Sequence, residues 1–423
     1  MALLLTSPGR SAGTLRASTG WTVPASTLAA IAVAGAMMTS TIVFSEPAVA
    51  DILMAAVIVG LPMLGVTRFG NVSTLHLAMW LVFFALGLVG CSMSTNVGTA
   101  VTHQIVTLFL ALGAFVIAGY VAADPEPRFH LIMVCYVVAC LIATAAAFVG
   151  YFSIIPSTYD LFTNYGRARG TFKDPNVLGA ALAPAIVFLV WVALRKPFRY
   201  VLLAAAVALP VCLAILLSFS RGAWASVAFS CLAVAWLTLV TTRRETDLKR
   251  FVVVAVFGTI TLVTAIGAAL ELDIVGDLFE QRASLDQSYD EGPDGRFGGQ
   301  AKAIGLILTH PFGVGTHTFR DSLHPEEAHN VYLSQFLNAG WIGGMLYAIS
   351  VVATTAAGVY AIRRRNALQG PLIVATAAFL GLVLEGFIID TDHWRHFFIL
   401  MGLIWGLVDA GAPVSNLERR RYD

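Results

Sequence analysis

Charge is scarce in this chain. Only 12% of its 423 residues are Asp, Glu, Lys or Arg, against about 25% in an ordinary soluble domain, so water cannot be its main solvent. Cysteine is sparse and unpatterned: Cys91, Cys135, Cys140, Cys212 and Cys231 all lie in or beside apolar segments. With no CxxC pair and no Cys/His ligand spacing, they read as small core side chains and not as metal or redox sites. The net charge is +1 and no long basic run stands apart from the loops, which gives no reason to expect nucleic acid as a partner. The stretch before Trp21 has only a short apolar run ahead of Ser7 and Pro8, so no cleaved signal peptide is expected.

What the chain has in abundance is apolar length. Hydrophobic residues make up 58% of it, and stretches of roughly 20 recur from residue 27 to 410. Each can cross a hydrocarbon layer of about 30 Å at about 1.5 Å per residue. Their positions predict about twelve membrane helices, near residues 27–44, 48–66, 73–91, 100–122, 130–153, 176–194, 200–218, 222–241, 251–270, 341–361, 371–389 and 395–410. Basic residues gather in alternate connections: Arg10 and Arg16, Arg68, Arg128, Arg195 to Arg199, Arg243 to Arg250, Arg363 to Arg365, and Arg419 to Arg421. The positive-inside rule makes those connections cytoplasmic. The expected fold class is an all-α integral membrane protein. A cytoplasmic tail (1–26) leads into nine membrane helices (27–270). An external loop carrying short helices (271–340) follows, then three more membrane helices (341–410) and a cytoplasmic tail (411–423).

Two external connections are long or polar enough to hold chemistry, residues 154–175 and the stretch from Glu271 to Ala328. The second is rich in acids, with Arg282, Arg296, Lys302 and Arg320 as its few bases. Orientation does not call for bases outside, so these are either ligands for an anion or partners of neighbouring acids. Arg221, in SFSRGAW, directly follows an apolar span on the external side. It is either an anchor that snorkels to the interface or a functional cation, with Gly222 permitting close backbone approach. Arg167, Arg169 and Lys173 precede Asp174-Pro175-Asn176, a helix start with Asp174 as cap and Pro175 in the first turn. The three bases are candidates for gathering an anionic substrate.

Further along, residues 295–310 predict a helix lying on the membrane surface, and HPFGVG (310–315) a tight bend. Its amides either face an anion or simply make the turn. In HNVYLSQFLNAGWIGG, starting at His329, a histidine stands at the external end of a helix. Asn330 and nine more residues separate it from Gly340, and Gly343 follows. Small residues there are expected where the helix meets another closely. His329 reads equally well as a helix-end histidine bonded to a carbonyl and as a general base.

Taken together, RARGTFKDPNVLG (167–179), FSRGAW (219–224), Gly295-Arg296, HPFGVG, and HN with nine residues before GWIG resemble the bacterial O-antigen ligase family, whose relatives include O-antigen polymerases and protein O-oligosaccharyltransferases. The resemblance runs from about residue 160 to 400. It implies a GT-C-like glycosyltransferase of the inner membrane with its site facing the periplasm. His329, Arg221 and Arg296 match the family's essential histidine and two arginines. At Arg296 the family often has a tryptophan four residues on, where this chain has Gln300, so Arg282 is a rival for the second arginine.

The resemblance further implies an undecaprenyl-pyrophosphate-linked glycan as donor, a glycolipid acceptor such as lipid A core, and the bilayer as solvent. Breaking the anomeric bond leaves negative charge on the pyrophosphate. Arginine's planar donors, always charged, suit it. The outer loops carry no DxD pair for a divalent ion apart from Asp390-Thr391-Asp392, which sits beside His393 at a helix end, so neither metal nor cofactor is expected. The expected reaction is an inverting, metal-independent transfer to an acceptor hydroxyl. His329 would act as general base, and Arg282, Arg167, Arg169, Lys173 and Asn330 would help to bind substrate. A polymerase joining two lipid-linked glycans is the alternative. A transporter would also show about twelve helices, but the helices lack internal repetition and the charges cluster in loops and not at mid-span.

Overall fold

The computed structural model describes residues 14–16, 22–242, 245–283, 292–364 and 367–411. Most of the two tails, 1–26 and 411–423, and the acids Asp286, Asp290 and Glu291 of the loop lie outside the described residues. The helices in chain order are α1 (Ala25–Thr39), α2 (Val49–Met63), α3 (Asn71–Cys91), α4 (Val97–Ala123), α5 (Pro125–Tyr151), the single turn α6 (Tyr159–Phe162), α7 (Pro175–Arg195), α8 (Phe198–Leu217), α9 (Arg221–Thr241), α10 (Glu245–Leu270), α11 (Asp273–Ala283), α12 (Arg296–Thr309), α13 (Val331–Ile362), α14 (Gln369–Glu385) and α15 (Arg395–Gly411). Twelve of them fall on the twelve predicted spans. Among the described residues, eight are long and apolar enough to cross a membrane, and α1, α2 and α14 are shorter apolar helices. The protein is an all-α integral membrane protein.

Helix starts follow local chemistry. Asp174 accepts from the Asn176 amide at 2.7 Å with Pro175 in the first turn of α7. Asn96, Ser220 and Asn330 cap α4, α9 and α13 in the same way. Each satisfies an amide that the first helical turn leaves without a partner. The start of α3 is capped from a distance: both carboxylate oxygens of Asp409, on α15, accept from the Val72 and Ser73 amides at 2.9 and 3.0 Å.

The interior is built on close approach. α15 lies against α4 through Gly402 and Gly406, where a β-carbon would stand 2.4 and 2.5 Å from the Ala114 and Ala118 carbonyl oxygens. Without a strong hydrophobic drive between helices in lipid, such small-residue contact is what lets two backbones pack. α4 and α7 are the most enclosed spans, whereas α10 keeps its apolar length facing outward.

Loops at the two ends differ in chemistry. At one end, basic side chains donate to carbonyls. Arg128 reaches the Val66 and Tyr120 carbonyls at 2.7 and 2.6 Å, Arg250 the Ala193 carbonyl at 3.0 Å, and Arg195 the Thr238 carbonyl at 3.4 Å. Tyr120, Ala193 and Thr238 lie in the last turns of α4, α7 and α9, so the residues read as orientation signals also satisfy helix C-termini. The other end gathers the motifs, and its loops are tied to one another. Val43 donates to the Thr171 carbonyl at 2.8 Å, Thr95 to the Thr318 hydroxyl at 3.1 Å, and Asn330 to the Phe387 carbonyl at 3.1 Å.

One predicted element differs in extent. The tenth span was placed at 341–361, but α13 starts at Val331 and is broken at Gly340, whose φ of 70° is left-handed. The polar run after His329 reads as loop by hydropathy. It is helical because Ser334, Gln335 and Asn338 turn their polar groups inward to the motif end, where they are buried. The break is where HPFGVG docks. Trp341 donates to the Pro311 carbonyl at 2.9 Å, and Val314 and Gly315 donate to the Leu337 carbonyl at 2.8 and 3.2 Å. Those amides are thus used in the turn. Gly340 meets this loop and not a neighbouring helix, whereas Gly343 does face α3, near Leu86 and Phe83.

A methyl group at residue 340 would be strained twice, by the positive φ and by the Pro311 carbonyl oxygen 2.5 Å from a built β-carbon. Gly340→Ala should destabilise the protein by about 2–4 kcal/mol, seen as a lower thermal midpoint in detergent. An unchanged midpoint would show that the HPFGVG contact is not structural.

Candidate functional site

The segment between α14 and α15, residues 386–394, is the meeting point of the motif residues. The Phe387 carbonyl accepts from Asn330 Nδ2 at 3.1 Å and from Gln300 Nε2 at 3.3 Å, and the Gly386 carbonyl accepts from the Val331 amide at 2.9 Å. Gln300 also donates to the His329 carbonyl at 3.2 Å. The residue that departs from the family's tryptophan is therefore a cross-brace between α12, His329 and this segment. From the other side, α9 begins against it: a β-carbon on Gly222 would stand 2.9 Å from Ile388 Cδ1 and 3.5 Å from Glu385 Oε1.

His329 is held at several points. Its φ of 48° is left-handed, a conformation uncommon for a side chain of this size. Its ring Nε2 lies 3.1 Å from Glu326 Oε2. A carboxylate on one ring nitrogen fixes the imidazole's orientation and leaves the other nitrogen for chemistry. The ring remains partly exposed. Asn330 caps α13 through Oδ1 while its Nδ2 holds Phe387. Both of its polar ends are in use.

Two of the arginines begin helices that touch this segment through Gly222 and Gln300. Arg221 is the first residue of α9 and Arg296 the first of α12, so each stands at a helix N-terminus that faces the same loop. Arg282 lies in the last turn of α11, which packs on α9 through Phe279 stacked on Trp224 at 5.6 Å. Arg167 donates to the Ser218 carbonyl and Asn176 Oδ1, each at 2.7 Å. That links the 154–175 loop to the residues just before Arg221. Arg169 donates to the Asp160 and Lys173 carbonyls at 3.1 and 3.4 Å.

Lys173 pairs with Glu46 at 3.2 Å, and both line a cavity of about 210 Å³ with Asp390, Asp392, His393 and Arg395. Arg395 is itself held by Asp51 through two bonds of 2.7 Å. The cavity thus carries charge of both signs.

Asp390 and Asp392 have different partners. Asp390 accepts from Ser334 at 2.6 Å and Asp392 from Gln335 at 2.9 Å. Burial, then the charge of Asp392, pushes the Asp390 carboxyl up to about 7, against the pull of the Ser334 bond. Burial also acts to raise Asp392, but the bond from His103 and the nearby His393 outweigh it and hold it below the usual carboxylate range. Burial, with His103 next, pushes His393 down to about 3. The DxD spacing alone does not reveal this division. Glu326 was also missed, although its position three residues before His329 was there to be read.

Residues 205–348 match the family model described as O-antigen ligase. The matched stretch contains Arg221, Arg282, Arg296, Gln300, Glu326, His329 and Asn330; Arg167, Arg169, Lys173 and the 386–394 segment lie outside it. A search of curated proteins gives no match. Through residues 205–348, about a third of its length, the chain is similar to the O-antigen ligase family.

Proposed function

We propose that this protein transfers a glycan from an undecaprenyl-pyrophosphate carrier to a hydroxyl of a glycolipid, lipid A core in the first instance, at the periplasmic face of the inner membrane. The family similarity supports ligase or polymerase chemistry. The observation that carries the finer reading is the Glu326–His329 contact of 3.1 Å, held at the loop on which the N-termini of α9 and α12 converge. His329 takes the acceptor proton as the hydroxyl attacks the anomeric carbon, and Glu326 stabilises the imidazolium that forms. Arg221 and Arg296 meet the pyrophosphate as the bond to it breaks, aided by the positive ends of their helices. Attack opposite the leaving group inverts the anomeric centre.

The other basic residues divide their work in this reading. Arg282, beside α9, extends the pyrophosphate site, and Lys173 draws the anionic substrate toward the cavity it lines. Arg167 and Arg169 act by shaping the 154–175 loop through their carbonyl bonds. Asn330 orients His329. Arginines supply the charge at the leaving group, so no divalent ion is assigned there.

Orientation is tested by labelling. Tyr165 is 85% exposed at the motif end, and a cysteine there should react with an impermeant thiol reagent in intact spheroplasts; protection until lysis would reverse the topology. For the pyrophosphate site, Arg221→Lys should lose most activity while the protein still accumulates, because an ammonium keeps charge but not the planar fork. Added Mg²⁺ should leave the wild-type rate unchanged. Wild-type behaviour of both Arg221→Lys and Arg221→Ala would make Arg221 an interfacial anchor.

For the base, His329→Ala should abolish transfer with donor binding kept within a few fold, and Glu326→Gln should lower kcat by about 10–100-fold with little change in donor KM. Loss of donor binding in His329→Ala would move the histidine to the pyrophosphate site. The glycolipids of a deletion strain separate ligase from polymerase: bare lipid A core with accumulated carrier-linked polymer marks a ligase, and core capped by single repeats a polymerase.

A further inference from the structure

A second cluster lies at the motif end, built from residues that no motif connects. His103 on α4 and Asp392 and His393 between α14 and α15 each offer one ligating atom, and these atoms all lie within 4.8 Å of one another. His103 Nε2 is 3.2 Å from Asp392 Oδ2. The His103 and His393 rings stack with centroids 4.0 Å apart, and His317 stands edge-on to His103 at 4.8 Å. Donors on a tetrahedral zinc ion, at about 2.0–2.1 Å from the metal, stand roughly 3.3 Å from each other. The His103–Asp392 pair already has that separation.

The surroundings are those of a ligand site. The Thr107 hydroxyl lies 3.1 Å from the His103 carbonyl and 2.9 Å from His393 Nε2. With Nε2 carrying the hydrogen toward Thr107, the ring's other nitrogen has its lone pair for a metal, the usual outer-sphere arrangement for a metal-bound imidazole. Gln335 donates to Asp392 Oδ2 at 2.9 Å and orients the carboxylate. Asp392 and His393 also line the cavity of about 210 Å³, which supplies an entry route and room for a water ligand. Two imidazoles and one carboxylate form a donor set for a borderline transition metal and a poor one for Mg²⁺.

We propose that His103, Asp392 and His393 bind one divalent transition-metal ion of the zinc class, which staples α4 to the segment between α14 and α15. The ion sits near the candidate base, since the segment that carries Asp392 and His393 also accepts Asn330, the neighbour of His329, at its Phe387 carbonyl. Its role is to fix the segment whose carbonyls hold Asn330 and Gln300. The proposal does not rest on the transferase reading, because none of the arginines assigned to the pyrophosphate contributes a ligand.

The test uses the full chain purified in detergent, with any affinity tag removed, stripped with a chelator and titrated with Zn²⁺ or Co²⁺. One ion per chain should remain after gel filtration, Zn²⁺ should raise the thermal midpoint, and Co²⁺ should give the visible bands of imidazole ligation in a site of low coordination number. His103→Ala, His393→Ala and Asp392→Asn should each weaken Zn²⁺ binding at least about tenfold, whereas His130→Ala, in the first turns of α5 and packed on Phe188 and Trp191, should not. Excess Mg²⁺ should not displace the ion. Substoichiometric Zn²⁺, or affinity unchanged in the three variants, would reduce the cluster to a hydrogen-bonded network and overturn the proposal. If those variants fail to accumulate, the Co²⁺ spectrum of the wild type decides, since absence of ligand-field bands also overturns it.

Discussion

A chain that leaves a helix inside a membrane protein still has to satisfy its carbonyls, and that requirement organises the motif end. α14 stops at Glu385, and the next two carbonyls face the protein interior. Gly386 is met by the Val331 amide, and Phe387 by the side chains of Asn330 and Gln300. An unmet carbonyl there would cost about 1–3 kcal/mol. The same three bonds set where α13 begins and where α12 lies, so satisfying the backbone also assembles the site.

The glycines of the HN-to-Gly spacing belong to the same construction. Ten residues after Asn330 the helix breaks at Gly340, and the HPFGVG loop enters the break. Gly313, with φ of 83°, brings its α-carbon close to the Leu337 carbonyl. The motif therefore records a distance along a helix from the cap at its start to the notch that receives a loop. That explains why the spacing is informative even though most of the residues within it differ in chemistry.

The helices were legible because length and hydropathy suffice when the solvent is lipid, and the cap at Asp174 was legible because a side chain of that kind satisfies local amides. The start of α13 was legible only from the histidine motif, since hydropathy cannot distinguish a polar loop from a helix whose polar face turns inward. Asp409 capping α3 and His103 meeting Asp392 were beyond reach for another reason. Each joins residues about 290–340 positions apart, and neither leaves a local pattern. Arg167 and Arg169 were visible as charges but not as carbonyl donors, because a charge in a sequence does not announce its partner. Gln300 was noticed only as a departure, and its two bonds supply the reason it can stand there.

His329 shows how these constraints become chemistry. A left-handed conformation at a histidine costs of order 1 kcal/mol or more, and it persists only if the surroundings over-determine it. Here Gln300 holds the carbonyl and Glu326 the ring, while Asn330 next to it is tied to the Phe387 carbonyl. These partners come from α12, from the segment after α14, and from the loop just before the histidine. Moving any one of those elements would turn the imidazole, because a backbone held in a strained conformation relaxes toward a right-handed or extended one once its partners are lost. A base must be in place before its substrate arrives, since reorganising it during the reaction would add to the barrier. The strain at residue 329 is thus the local expression of the bonds that also fix α12, α13 and the 386–394 segment, and the position of the candidate base follows from the packing of the whole motif end.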